Sequence, residues 1–214
     1  MEPDFDARHA DPYIPNLSIG YLFSRSWPRF KDHLWLLVGT FTLYALLIGI
    51  GSDTWDGDRT GGGLLNLVAF VITGPLTAGL YWMMLKVQRD EPIEFTDLFA
   101  GFGEFGRAFG VYALTAIATL IGFILLIVPG LILLVGLAPG LFLVMDDELG
   151  VMDTLRKAWD MTMGHKLQLL ALGVVLFFLT LLGILAFIIG VFFTGAFASL
   201  VVAAAYDELA LAER

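Results

Sequence analysis

Two stretches of this chain, residues 109–145 and 167–206, run for 37 and 40 residues without an Asp, Glu, Lys or Arg. As unbroken helix they would measure about 55 and about 60 Å, at about 1.5 Å per residue. A hydrocarbon core of about 30 Å is crossed by about 20 helical residues, so each stretch is long enough for two crossings and too long for one. Two shorter charge-free stretches, 33–51 and 63–85, are each about one crossing long and are separated by the polar run SDTWDGDRTGG. The expectation is an all-α, polytopic membrane protein with six transmembrane helices in three hairpins, spanning about 33–51, 63–85, 109–128, 131–145, 167–185 and 187–206. Pro129-Gly130 is the expected turn in the first long stretch, and the second is expected to reverse between Leu181 and Gly190.

Composition carries the same message. Hydrophobic residues make up 58% of the chain and charged residues only 15%, where soluble domains are about a quarter charged. A formal net charge of −9 argues against nucleic acid or anionic lipid as a partner held by a general basic field, which leaves local basic clusters as the alternative. Cysteine is absent, which removes disulfides, thiol nucleophiles and Cys-based metal sites. His9, His33 and His165 lack the HExxH spacing of a helical metal site. With no ionisable residue inside the assigned spans, the usual proton relays and acid/base pairs are missing too. No catalytic, cofactor-binding or metal residues are therefore expected, and the chain reads as a non-enzyme.

Lys and Arg are retained on the cytoplasmic side of membrane proteins, most reliably in short loops. Eleven of the twelve basic residues fall before span one, between spans two and three, between spans four and five, or at the C-terminus, leaving Arg59 alone on the other side. This places both termini in the cytoplasm of a multi-pass protein of the cell (inner) membrane. Residues 1–16, acidic and proline-punctuated, are expected to form a flexible tail. The membrane domain should cover 17–209, and 210–214 a short C-terminal tail.

Each hairpin is preceded by a segment with a helical apolar stripe: Ile19, Leu22, Phe23, Trp27 and Phe30; Phe95, Leu98, Phe99, Phe102 and Phe109; Met152, Leu155, Trp159 and Met163. Such amphipathic helices lie in the membrane interface on the cytosolic side, or serve as plain connectors. Trp27, Phe99, Phe102 and Trp159 are the candidates for interfacial docking, and Pro28 is expected to bend the first of these segments. Pro75 and Pro139, inside spans two and four, are candidate helix kinks, either tolerated in packing or framing a pathway. The pairs Gly74/Ala78, Gly136/Gly140 and Gly195/Ser199 suit close helix approach. Asp146-Asp147-Glu148 suits helix stabilisation, with Asp147 as a cap, at least as well as a cation site.

GPLTAGLYWMMLKVQRDEPIEFTDLFAGF and the later LLIVPGLILLVGLAPGLFLVMDDELGVMDTLRKAWDMTMGHKLQLL resemble a broad group of uncharacterised prokaryotic six-helix integral membrane proteins. The group is related to the membrane domain fused to some glycerophosphodiester phosphodiesterases. The resemblance covers 17–209 and implies the six-helix fold; no phosphodiesterase catalytic domain accompanies it in this chain, so that activity is not implied. Two functions follow as expectations. The favoured one is a non-enzymatic accessory subunit or scaffold of a membrane complex, its partners being the lipid bilayer and a membrane protein or second copy. The alternative is a passive carrier or channel for a small neutral or lipidic substrate.

Overall fold

A computed structural model describes residues 13–51, 62–185 and 188–213 of the chain. Among these, all regular structure is helical: α1 (Ile19–Asp32), α2 (Leu34–Gly51), α3 (Gly62–Gln88), a 3₁₀ segment (Phe95–Phe102), α4 (Phe105–Leu125), α5 (Ile127–Leu137), α6 (Gly140–Asp146), α7 (Val151–Met161), α8 (Lys166–Leu185) and α9 (Ile188–Ala212). Among the described residues five helical stretches are long and apolar enough to cross a membrane, counting Ile127–Asp146 as one, or six where the pair α1 and α2, bent by 95°, counts as one span. The chain thus has the make-up of a multi-pass membrane protein.

The boundaries depart from the sequence reading in four places, each for a physical reason. The turn expected at Pro129-Gly130 lies at Leu126, whose backbone is extended, and α5 starts directly after it. Pro129 then sits in the first turn of α5, where its missing N–H costs nothing. Gly130 instead serves the crossing of α4 and α5: a Cβ on Gly122 would stand 2.8 Å from the Gly130 Cα. The bend expected at Pro28 occurs at His33, where α1 meets α2 at 95°. The last helix runs on past the expected end of the last span at 206: α9 continues to Ala212 and carries Asp207 and Glu208 with it. Tyr13 and Asn16, assigned to the flexible tail, are held by hydrogen bonds to Glu208; residues 1–12 of that tail lie outside the described residues.

α3 and α9 form the centre, with 50% and 56% of their spans buried, against 17% for α4 and for α8. Leu76, Leu80, Met83 and Met84 of α3 meet Phe142 and Leu143 of α6 and Leu200 and Val201 of α9 in one core. Helices in lipid gain little from burying apolar side chains against one another, so small residues that admit close contact matter more. Gly74 touches the α4 backbone at Ala108 and Phe109, Gly140 meets Val111, and Gly195 receives the ring of Phe41. Most span hydroxyls bond back to their own helix, as Thr42, Thr73, Thr77, Thr180, Thr194 and Ser199 do four residues back.

The tightest contact holds the 3₁₀ segment to α3. A Cβ on Gly79 would run into the carbonyl oxygen of Leu98, and one on Gly101 into that of Pro75. Neither position has a side chain that could move aside. Gly79→Ala is expected to destabilise the fold by about 1–3 kcal/mol, the usual cost of overpacking. Gly39→Ala, where nothing lies within 4 Å of the added carbon, should be neutral or stabilising because alanine favours helix. Thermal unfolding in detergent micelles measures both; equal effects would mean that the segment is not pressed against α3 in this way.

Candidate functional site

Three carboxylates are gathered where α6, α9 and α1 meet the end of α3. Arg25 of α1 donates to Asp207 and Glu208 at 2.5 and 2.6 Å. Arg89, one residue past α3, donates both Nη groups to Asp146 at 2.6 and 2.8 Å and its Nε to Asp207 at 3.1 Å. Tyr206 donates to Asp146 at 3.0 Å. Glu208, 1% exposed, takes four donors: Tyr13 and the Asn16 amide on Oε2, Tyr21 and Arg25 on Oε1. Four is the full lone-pair capacity of a carboxylate.

Electrostatics follow from this geometry. Arg89 is pushed further above its ordinary value, first by the hydrogen bond to Asp146. Burial works against the Arg25 charge, but the Asp207 hydrogen bond and the charges of Asp207 and Glu208 outweigh it and raise Arg25 as well. Donation to Glu208, then burial, pushes the Tyr13 hydroxyl up to about 12. The carboxylates are thus spent on neutralising two arginines and holding tyrosines. Among the described residues no group of three or more His, Cys, Asp or Glu could hold a metal ion.

Below the network an aromatic column fixes α6. Phe142 is sandwiched between Tyr81 of α3 and Tyr206 of α9, with ring centroids at 4.2 and 4.8 Å and nearly parallel planes. Around it, Lys86 pairs with Asp97 at 2.9 Å, Arg29 with Asp90 at 2.6 Å and Lys157 with Asp147 at 2.8 Å. Arg107 donates to the Asp147 carbonyl. These contacts engage Arg25, Arg29, Lys86, Arg89, Arg107 and Lys157. Asp147 is not the cap expected from sequence: it ends α6, and Gly150 precedes α7.

The sequence candidates fall in different settings. Pro75 lies within continuous α3, its carbonyl against Gly101. Pro139 stands at the break between α5 and α6. Trp27 is half exposed, edge-on to Phe197 at 5.6 Å. Trp159 packs inward on Gly136, with the Lys166 ammonium over its ring. Phe99 and Phe102 remain exposed at 45% and 38%. They begin a ladder of rings, Phe99–Phe102–Phe105–Phe109, each 6.3 Å from the next, which continues through Phe70 to Tyr112.

A second feature was not read from sequence: an apolar groove of about 540 Å³, open on one side, between α1, α8 and α9, lined by Phe23, Trp27, Phe30, Leu179, Phe193 and Phe197, with Ser24 and Thr194. Neither Pro75 nor Pro139 lines it. The Asp207-Glu208 pair was also missed as a site, although its signal was present: two acids one residue past a charge-free run and opposite a chain rich in N-terminal arginine. No family model, curated protein or solved structure matches this chain.

Removing Arg25 would leave Asp207 and Glu208 without a principal partner in a buried setting. Arg25→Ala is expected to cost about 3 kcal/mol, the low end for breaking a buried pair because the guanidinium keeps some exposure. Glu208→Gln, which keeps the shape and one carbonyl acceptor, should cost less. Thermal melts of both variants in the same detergent check this, and an Arg25→Ala protein as stable as wild type would show that the network is not holding α1.

Proposed function

We propose that this chain is a non-enzymatic component of a membrane complex, an accessory subunit or scaffold that presents a rigid docking platform at the cytosolic face. The reading supposes six spans in three hairpins, each led by an interfacial amphipathic helix, with both termini cytoplasmic in the cell inner membrane. It also keeps the kinship with the prokaryotic six-helix group. The observation that carries it is the exposed ring ladder at Phe99, Phe102 and Phe105, 45%, 38% and 40% exposed, on a segment locked backbone to backbone against α3. Aromatic side chains held rigid lose little entropy on association and dominate binding hot spots. The Lys86–Asp97 ion pair and the reciprocal capping of Glu94 and Asp97 hold the segment's start as well.

The saturated ion network supports the same reading. Its carboxylates are held by arginines and tyrosines, an arrangement suited to fixing helices rather than to exchanging protons. The charge segregation that supports cytoplasmic termini is reinforced by α9, whose 25 residues make about 37 Å of helix. Its final turns, with Asp207 and Glu208, thus project beyond a hydrocarbon core of about 30 Å.

Two measurements test the proposal. A photo-crosslinking residue at Phe99 or Phe102 should capture a stoichiometric protein partner in native membranes, whereas one at Phe178, exposed on α8, should capture lipid. Phe99→Ala with Phe102→Ala should weaken co-purification about 30-fold, the effect of losing about 2 kcal/mol at a hot spot, without lowering the melting temperature. Capture of lipid alone at all three positions would overturn the scaffold. For the topology, single cysteines at Thr60 and at Met163, which is 58% exposed, should label from opposite sides of the membrane; labelling from one side would refute the six-span arrangement.

A further inference from the structure

The groove between α1, α8 and α9 has walls but no chemistry. Its two polar side chains have committed their hydroxyls: Ser24 donates to the Tyr21 carbonyl and Thr194 to the Gly190 carbonyl. The remaining lining is hydrocarbon and aromatic ring. Phe197 stands at its inner wall with Phe23, Trp27 and Phe30 edge-on around it at 5.3 to 5.6 Å. Such rings cannot collapse into the space without breaking those contacts. The roof is α1, which meets α2 at 95° and so runs across the ends of the spans. The floor is Leu179 and Phe193, farther along α8 and α9 from the ion network. A space of this shape accepts a flexible chain entering from the side, from the leaflet next to α1.

A charge close to the groove, though not lining it, selects among such chains. Of the three cations on α1, Arg25 is held by Asp207 and Glu208, and Arg29 by Asp90. Lys31, one turn beyond Trp27, has among the described residues no carboxylate partner within ion-pair distance; its ammonium lies 5.9 Å from the Trp27 ring that lines the groove. We infer that this groove seats one acyl chain of an anionic glycerophospholipid, with the phosphate-bearing headgroup at Lys31. Because bilayer tails are as apolar as the groove, contact with hydrocarbon alone gives little preference over bulk lipid. The selectivity therefore rests on Lys31, and one basic residue near the surface corresponds to about a fivefold preference for anionic over zwitterionic lipid.

The test is native mass spectrometry of the full chain, delipidated in detergent and titrated with dioleoylphosphatidylglycerol or dioleoylphosphatidylcholine. Wild type should bind one phosphatidylglycerol about fivefold more tightly than phosphatidylcholine. Lys31→Gln, at an exposed position where folding is not at stake, should equalise the two. Leu179→Trp, which fills the floor, should weaken both at least tenfold while the melting temperature shows that the fold persists. Equal affinities in wild type, or phosphatidylglycerol binding unaffected by both variants, would overturn the inference. So would a dimer that Leu179→Trp abolishes and phosphatidylglycerol does not displace, because a second copy would then occupy the groove.

Discussion

The buried ion network is the constraint to which the rest of the bundle answers. Taking a carboxylate or guanidinium out of water costs several kcal/mol, and a partner recovers this only when geometry is good and the remaining lone pairs are satisfied. Here Asp146, Asp207 and Glu208 share two arginines, three tyrosine hydroxyls and a backbone amide. That saturation binds four separate chain segments to one another. It requires α9 to continue past its apolar run, α6 to end at Asp146, and α1 to lie where Arg25 can reach both acids. The local boundaries of three helices are therefore consequences of one long-range electrostatic arrangement.

Away from the network, the bundle is held by proximity. Gly79 and Gly101 let two backbones touch, Gly122 and Gly130 let α4 and α5 cross, and Gly183 and Gly190 do the same for α8 and α9. Dispersion falls steeply with distance, so a close backbone contact secures many atom pairs where lipid offers no hydrophobic drive. This explains why central α3 and α9 are buried along half their length while α4 and α8 face outward. It also explains how a short 3₁₀ segment can carry an exposed row of rings without fraying: its backbone meets that of α3 at Gly79 and Gly101, with Leu98 buried beside them.

Element type was legible from charge-free length alone, because lipid leaves a backbone few choices besides helix. What was not legible depended on register and on distant partners. The 3₁₀ segment is the clearest case. A period of 3.6 groups Phe95, Leu98, Phe99 and Phe102 on one face, whereas three residues per turn separate them, turning Leu98 and Gly101 toward α3 and Phe99 and Phe102 outward. Around α7 the apolar stripe divides: Leu155 and Trp159 pack inward, Met152 and Met163 are exposed, and the small residues Thr154 and Ala158 are fully buried. That helix α9 continues past Tyr206 was not legible either, because the two acids that extend it have arginine partners far away in sequence and so carry no local signal.

The ring ladder and the apolar groove share no helix: one is built on the 3₁₀ segment, α3 and α4, the other on α1, α8 and α9. Occupants of the two would not compete for side chains. Both nevertheless hang from the same network, since Arg25 lies between Ser24 and Trp27 of the groove roof and Arg89 follows the helix that Lys86 ties to the 3₁₀ segment. A switch between the two surfaces would need an element with two arrangements of similar energy. Rotating α1 away would strip Glu208 of Tyr21 and Arg25 at once, which makes any second arrangement far higher in energy than the first. The network therefore favours a fixed frame that keeps the ring ladder and the groove at a constant spacing, rather than a lever that carries motion from one to the other.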